Sequence, residues 1–230
     1  MDIVAHRGAS NLAPENTLAS ISRAIELGAR WVEVDVRTTV DGRLILMHDA
    51  DVSRTTDGQG AVSSMSFREI RRLDAGGWFS EKYKGERVPT LDEALKLTKS
   101  RAGMCIEIKD ADPAEVLSCV QEVRPLDDIW FFDFNHERIK TLLGADSHLK
   151  LLALISRPDQ CEELSPEEFQ GAGIPFSLMS KALLDDLRQR GIKTFVWTVD
   201  RPEDMKTVEQ LGADFLITNK PELALSLFPR

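Results

Sequence analysis

The sequence predicts an α/β fold, a (β/α)8 TIM barrel with a small insertion after the second strand. The main observation is that strand-type and helix-type segments alternate eight times along the chain, which is typical of this barrel. The length of 230 residues fits one barrel domain, residues 1–230. A doubly wound open sheet is the competing fold, but the chain lacks its Gly-x-Gly-x-x-Gly fingerprint.

The first part of the chain supplies two parallel strands and a hairpin. The β-branched run Ile3–Ala5 predicts a buried strand, and apolar residues at helical spacing predict a helix over Thr17–Leu27, which Asn16 or Thr17 can cap. Trp31–Val36 is the second strand, and an Asp-Gly turn then leads into Leu44–Met47. Because so short a connection cannot cross over to a parallel strand, Leu44–Met47 is expected to return antiparallel and carry His48 back.

Residues from Asp49 to Pro89 form a polar, glycine-rich excursion, which together with the hairpin makes up the predicted insertion at about 44–89. An excursion of this length is typical of a functional lid or a small subdomain. Regular alternation then resumes with a helix at Leu91–Thr98. Further strands are expected at Met104–Ile108, Ile129–Phe132, Leu151–Ile155, Ile174–Ser177, Thr194–Val199 and Phe215–Thr218, and further helices at Pro113–Val123, His136–Leu143, Pro166–Gln170, Lys181–Arg190, Pro202–Leu211 and Glu222–Phe228.

The composition bears on the partners and the location of the protein. A net charge of -9 argues against nucleic acid, because proteins that bind phosphate backbones carry an excess of Lys and Arg. Three cysteines without a C-x-x-C pattern suit a reduced compartment. We see no charged and apolar leader and no apolar run of membrane-spanning length. These features predict a cytoplasmic protein without integral membrane association, and they leave its oligomeric state open.

Residues that carry chemistry follow the predicted strands, at the ends where a barrel places its active site. His6 and Arg7 follow the first strand, and His48 follows the hairpin. Glu33 and Asp35 are two residues apart on the second strand, so their side chains point to the same face. The remaining candidates at strand ends are Glu107, Lys109 and Trp197.

The carboxylates of Glu33, Asp35 and Glu107 would repel one another inside a barrel unless a cation lay among them. A hard divalent ion, Mg²⁺ or Ca²⁺, prefers such oxygen ligands, and the chain has no Cys–His cluster with zinc spacing. The sequence therefore predicts a divalent metal site. The alternative is a purely structural network in which Glu33 and Asp35 pair with Arg7 and Lys109.

Arg7 and Lys109 add two fixed cations, which suit a ligand with a negative phosphoryl group. His6 and His48 then supply a general acid and a general base, each typically contributing about 10²–10⁴-fold. Metal-assisted phosphodiester hydrolysis uses all of these groups. Trp197 fits a core position and a substrate wall equally well.

An ordered set of short motifs spans nearly the whole chain. The motifs are His6-Arg7-Gly8, Pro14-Glu15-Asn16-Thr17, Glu33-Val34-Asp35-Val36, Thr39-Val40-Asp41-Gly42, His48-Asp49, Arg54-Thr55-Thr56-Asp57-Gly58, Pro89-Thr90-Leu91, Glu107-Ile108-Lys109 and Val196-Trp197-Thr198-Val199. In these motifs and their order the sequence resembles the glycerophosphodiester phosphodiesterase family. The resemblance implies a barrel with an insertion after the second strand.

The resemblance also implies hydrolysis of glycerophosphodiesters, such as glycerophosphocholine or glycerophosphoethanolamine, to sn-glycerol 3-phosphate and an alcohol. The implied roles are metal binding for Glu33, Asp35 and Glu107, acid–base catalysis for His6 and His48, phosphate binding for Arg7 and Lys109, and a wall of the glycerol or alcohol pocket for Trp197. Two stretches depart from the family pattern. Asp133-Phe134 stands where Ser-Phe is common, and Thr218-Asn219-Lys220-Pro221 stands where Thr-Asp-x-Pro is common. Both departures bear on substrate preference more than on activity.

Two other functions remain open at this point. A lysophospholipase D-type lipid phosphodiesterase would need an apolar docking surface, for which Trp78-Phe79 and Phe67 are candidates or, equally, a small core. A catalytically silent phosphodiester-binding protein would not need an acid–base pair. The sequence also leaves open the roles of the two histidines, the metal, the headgroup, and whether water or the glycerol 2-hydroxyl attacks. Gly8 permits either a sharp backbone turn or the close approach of a ligand.

Overall fold

The computed structural model describes residues 1–146 and 148–229. The strands in this part of the chain are β1 (Asp2–Ala5), β2 (Trp31–Thr38), β3 (Leu44–Leu46), β4 (Gly103–Ile108), β5 (Ile129–Asp133), β6 (Lys150–Leu154), β7 (Gly171–Pro175), β8 (Lys193–Trp197) and β9 (Phe215–Thr218). The helices are α1 (Leu18–Glu26), α2 (Phe67–Ile70), α3 (Leu91–Thr98), α4 (Pro113–Val123), α5 (His136–Lys140), α6 (Asp159–Glu162), α7 (Lys181–Gln189), α8 (Pro202–Leu211) and α9 (Pro221–Leu227). Short 3₁₀ turns lie at Val52–Arg54, Val62–Ser64, Glu81–Tyr83, Thr141–Gly144 and Phe176–Leu178.

The sheet closes on itself. β1, β2, β4, β5, β6, β7, β8 and β9 pair in parallel in that order, and β9 pairs back with β1. β3 pairs antiparallel with β2, with Val36 opposite Leu46, as the short connection required. The predicted (β/α)8 barrel with an extra strand in an insertion is therefore confirmed.

Alternation along the strands separates two layers of the core. Val32, Val34 and Val36 of β2 pack outward under the helices, while Trp31 of the same strand packs into the barrel. An aromatic layer of Trp31, Trp130, Phe195 and Phe215 fills the barrel interior and forms its floor. Within it Phe195 stacks on Phe215, with 3.9 Å between the ring centroids. The charged candidate residues lie nearer the carboxyl ends of the strands and also point into the barrel, so they lie above this aromatic floor.

The insertion has a hydrophobic cluster of its own. Tyr83 of the insertion donates from its hydroxyl to the Leu12 carbonyl at 2.8 Å, and Leu46 donates from its backbone N–H to the Pro89 carbonyl at 2.9 Å. The first bond attaches the insertion to the loop between β1 and α1, and the second joins the two ends of the insertion to each other. The cluster consists of Ile45, Met47, Val52, Val62, Ile70, Ala75 and Val88.

In the second half of the chain one predicted helix is wrong, and one predicted strand is present with different bounds. The helix expected at Pro166–Gln170 is a single turn, because Gln170 donates its N–H to the Leu151 carbonyl and so already joins the sheet. The helix of this segment is α6, which lies before the predicted range. The seventh strand begins at Gly171, before the predicted Ile174. Its glycines give no strand signal, but a Cβ at Gly171 would lie 2.9 Å from the Trp130 ring, so the aromatic floor requires glycine there.

Within residues 1–146 and 148–229, we find no helix with the length and apolar composition needed to cross a membrane.

Candidate active site

A cavity of about 200 Å³ opens at the carboxyl ends of the barrel strands. Asp35, at 0% exposure, adjoins the cavity residues from below. The predicted site residues therefore meet in one place, although they come from opposite ends of the sequence. The cavity is lined by His6, Arg7, Glu33, His48, Glu107, Lys109, Phe132, Phe134, Leu154, Trp197, Thr198 and Ile217.

Three buried carboxyl groups form the centre of the site. Glu33, Asp35 and Glu107 each offer an oxygen, and these oxygens all lie within 4.8 Å of one another. Glu33 Oε1 is buried and has no hydrogen-bond partner among residues 1–146 and 148–229. A buried carboxylate oxygen without a donor is costly, and a hard cation would satisfy it. The donor set thus fits a divalent metal ion better than a purely structural network.

The charges in this cluster are strongly perturbed. Burial, and then the neighbouring Asp35, raise the pKa of Glu33 well above its usual range and that of Glu107 to about 7. Burial also opposes ionisation of Asp35, but Lys109 and Arg7 outweigh it and lower its pKa to about 2. Without a cation, therefore, one acid stays ionised while its neighbours hold protons more tightly.

Arg7 and Lys109 flank the acids. Arg7 Nε lies 3.2 Å from Asp35 Oδ2, and Lys109 Nζ lies 3.2 Å from Asp35 Oδ1 and also contacts Glu107. The backbone N–H of Arg7 donates to Glu33 Oε2 at 2.7 Å, which its φ of 55° makes possible. Both side chains also line the cavity, so they can face an anion there.

Gly8 follows with φ +81°, and a Cβ there would lie 2.4 Å from Ser20 Oγ and 2.5 Å from Ser20 C on α1. The close neighbour that demands glycine is therefore the helix, and the positive φ agrees with the sharp turn, one of the two roles expected for Gly8. The Ser20 hydroxyl donates to the Arg7 carbonyl at 2.8 Å. The tight packing of α1 thus holds the loop that carries Arg7.

The two histidines have different partners. His6 Nε2 lies 3.9 Å from Glu33 Oε2, and its Nδ1 lies 2.7 Å from Asn219 Oδ1. Burial, and then Arg7, lower the pKa of His6 to about 4. His48 Nδ1 lies 2.6 Å from Asp49 Oδ1. One ring is thus backed by a neutral amide and the other by a carboxylate.

His48 reaches the cavity on the hairpin, and a second set of contacts holds it. Arg37 donates from Nε and Nη2 to the His48 carbonyl at 3.0 and 2.7 Å. Arg54 of the insertion contacts Asp49 at 2.5 Å and donates to both oxygens of Glu15 at 2.9 and 2.8 Å. Since Glu15 also accepts from Arg7 at 2.8 Å, the chain of contacts joins the insertion to the first strand's loop.

Sequence reasoning missed the role of Asn16. Thr17, not Asn16, caps α1, since its side chain accepts from the Ser20 N–H. Asn16 has φ 55° and is buried; its Nδ2 donates to Asp35 Oδ2 at 2.8 Å, and its Oδ1 accepts from the Asp35 N–H at 3.1 Å. The signal in the sequence was the neighbouring Thr17, which can cap the helix itself and so leaves the Asn16 side chain available for another bond.

One side of the cavity is apolar. Trp197 packs edge-to-face against Phe134, with 6.0 Å between ring centroids, and Phe134 is 46% exposed. Trp197 therefore belongs to the wall of the cavity as well as to the packed interior. Its buried indole Nε1 has no partner within the described part of the chain. The remaining apolar lining consists of Phe132, Leu154 and Ile217.

The aromatic residues of the insertion mostly pack on one another. Trp78 and Phe79 lie edge-to-face at 5.7 Å, and Phe79 and Tyr83 do the same at 5.7 Å. Phe67 lies beneath the guanidinium groups of Arg43 and Arg71, each 5.8 Å from its ring centroid. This packing favours the small core over a lipid-docking surface, although Trp78 remains 42% exposed.

Comparison with known proteins agrees with this geometry. The model of the glycerophosphoryl diester phosphodiesterase family matches residues 6–223. The chain belongs to this family. A glycerophosphodiester phosphodiesterase of Caldanaerobacter subterraneus is 36% identical over 239 aligned residues, covering 98% of this chain and 96% of the relative. The prediction of a phosphodiester-hydrolysing enzyme is thereby confirmed, and a catalytically silent binding protein is not supported.

Solved structures show the same fold. A glycerophosphodiester phosphodiesterase from Agrobacterium tumefaciens has a TM-score of 0.89 at 30% identity, covering 98% of this chain and 99% of that one. An Oleispira antarctica phosphodiesterase, solved in complex with the product sn-glycerol-3-phosphate, has a TM-score of 0.93 at 28% identity, covering 99% and 96%.

Proposed function

We propose that this enzyme hydrolyses soluble glycerophosphodiesters, such as glycerophosphocholine and glycerophosphoethanolamine, to sn-glycerol 3-phosphate and the free alcohol. The observation that carries the proposal is one cavity with histidines, a carboxylate cluster and cations at one end and an apolar wall at the other. The charged end suits a phosphodiester, and the apolar wall suits a small organic group. The product complex of the Oleispira antarctica relative supports glycerol 3-phosphate as the product.

In this proposal Glu33, Asp35 and Glu107 hold Mg²⁺ or Ca²⁺, which when bound stabilises negative charge on the phosphoryl oxygens. Arg7 and Lys109 bind the remaining phosphoryl charge, because both line the cavity beside the carboxylates. Trp197 forms a wall against the glycerol or alcohol group.

We assign the base to His6 and the acid to His48 from their partners. The amide oxygen behind His6 suits a neutral ring, which can accept the proton of the attacking hydroxyl or water. The carboxylate of Asp49 behind His48 stabilises an imidazolium ring, which can donate a proton to the leaving alkoxide. Detection of a cyclic glycerophosphate would show that the glycerol 2-hydroxyl attacks.

We further propose that residues 1–230 act as one catalytic domain in the cytoplasm. The family match over residues 6–223 supports the first point. The free thiols of Cys105, Cys119 and Cys161 in the described chain support a reducing compartment.

The test is a matrix of headgroups and metals with glycerol 3-phosphate release as the readout, with and without EDTA. We expect release that requires Mg²⁺ or Ca²⁺ and a fall of about 10²–10⁴-fold in kcat for His6→Gln and for His48→Gln. His148→Gln is the matched control, since that ring is 94% exposed. No release from any deacylated diester by folded, metal-loaded protein would refute the proposal, and faster turnover of lysophospholipid would favour the lipid phosphodiesterase instead.

A further inference from the structure

Polar contacts join the ends of three neighbouring barrel strands at the cavity. Asp200 follows β8, Asn219 follows β9 and His6 follows β1. Asn219 Nδ2 donates to Asp200 Oδ2 at 2.7 Å, and Asn219 Oδ1 lies 2.7 Å from His6 Nδ1. The side chain of Asn219 thus stands directly between a carboxylate and the candidate base.

Asp200 fixes which way the Asn219 amide faces. A carboxylate only accepts hydrogen bonds, so the NH₂ end of the amide must face Asp200 and the oxygen must face away from it. The other carboxylate oxygen, Oδ1, accepts from the Asn219 N–H at 2.8 Å and from the Thr218 hydroxyl at 2.9 Å. These donors hold Oδ1, so Oδ2 faces the Asn219 side chain, and the amide can bond to Oδ2 only through its NH₂ group.

The amide orientation in turn selects the hydrogen on the His6 ring. Asn219 Oδ1 can only accept, and it also accepts from the Ser10 hydroxyl at 3.0 Å. His6 Nδ1 must therefore carry the hydrogen in the neutral ring, which leaves the lone pair on Nε2, the atom on the side of Glu33. If the amide were flipped, its NH₂ group would face His6 Nδ1, and the neutral ring would carry its hydrogen on Nε2 instead.

We propose that Asp200 and Asn219 are positioning residues, which hold neutral His6 in the Nδ1–H tautomer and so present Nε2 as the proton acceptor. The role of His6 as base rests on the proposed function, but the tautomer does not. The Asn at position 219, where Asp is common in the family, thus contacts the candidate base directly, so in this proposal the departure bears on the proton acceptor as well as on substrate preference.

The isosteric variant Asp200→Asn tests the orientation directly. The oxygen of the new amide would stay with the two donors at 2.8 and 2.9 Å, so its NH₂ group would face Asn219. The Asn219 amide must then flip, and His6 must shift to the Nε2–H tautomer. We expect ¹⁵N spectra of histidine-labelled protein to show this reversal, with the His6 signal assigned by its loss in His6→Gln. We expect kcat to fall about 10²–10⁴-fold with KM little changed, since the base is lost and the binding groups are kept.

The double variant D200N/N219D should restore the tautomer. The amide at position 200 then donates to a carboxylate at position 219, whose other oxygen accepts from His6 Nδ1. We expect the Nδ1–H signature to return and most of the lost kcat to be recovered. Asp204→Asn is the matched control, because Asp204 lies next to this loop on α8 but contacts Arg201 at 3.8 Å instead of the network.

An Nε2–H signature for neutral His6 in the wild-type protein overturns the proposal, and so does an unchanged tautomer in Asp200→Asn. Failure of the double variant to recover the Nδ1–H signature would also overturn the proposal. If the wild-type protein hydrolyses no glycerophosphodiester, the proposed function fails, but the spectra still decide the tautomer.

Discussion

The packing of Gly8 against α1 gives a prediction whose size follows from the structure. In Gly8→Ala the new methyl group would lie 2.4 Å from Ser20 Oγ and 2.5 Å from the backbone carbon of Ser20. The backbone carbon is part of a helix and cannot move as a flexible side chain does. The loop or the helix must therefore shift, and the shift displaces the segment that carries His6 and Arg7.

Two costs add. A residue with a Cβ at φ +81° costs roughly 1–2 kcal/mol relative to glycine, and overpacking a tight site costs roughly 1–3 kcal/mol. We expect Gly8→Ala to lower the free energy of unfolding by about 2–5 kcal/mol in total. Gly28→Ala is the matched control, since Gly28 has φ +91° but nothing within 4 Å of its Cβ position. Gly28→Ala should therefore lose only the cost of a Cβ at positive φ, roughly 1–2 kcal/mol.

Urea denaturation, followed by tryptophan fluorescence and by far-UV circular dichroism, measures both losses. Coincident transitions from the two probes justify the use of a single unfolding free energy. Equal losses in the two variants would show that contact with Ser20 contributes nothing. A Gly8→Ala protein as stable as the wild type would refute both parts of the reasoning.

Two other outcomes follow from the charges of the site. Because the pKa values of Glu33 and Glu107 are raised without a metal, Mg²⁺ must displace protons, so its affinity should increase as the pH rises through about 7, the pKa of Glu107. Calorimetric titration in buffers of different ionisation enthalpy counts the released protons, and an affinity independent of pH contradicts the prediction. Arg54→Ala should lower kcat about tenfold, because it removes the guanidinium that holds Asp49 behind the histidine. Arg23→Ala, which breaks an exposed pair on α1, should leave kcat unchanged, and equal rates in the two variants would exclude this support role.

Much of the site follows from local rules that a sequence carries. Period-2 alternation places Glu33 and Asp35 on the inward face of β2, and strand order places Glu107 beside them with Asp35 opposite it. The hairpin could be predicted because the chain between β2 and β3 is too short for any other connection. Where a strand ends, which face a side chain points to and which way the strand runs all depend on nearby residues. The positions of the carboxylate cluster and of both histidines could therefore be predicted from the sequence.

The sequence by itself determined the barrel, the insertion and the residue types at the mouth. Only the tertiary structure decided which of those residues touch. His6 and Asn219 lie 213 positions apart and meet because β9 pairs with β1 when the barrel closes. Asn16 could have capped a helix but instead bonds to Asp35, and Gly8 makes room for a helix. Such contacts depend on the packing distance between elements, which no local pattern in the chain encodes.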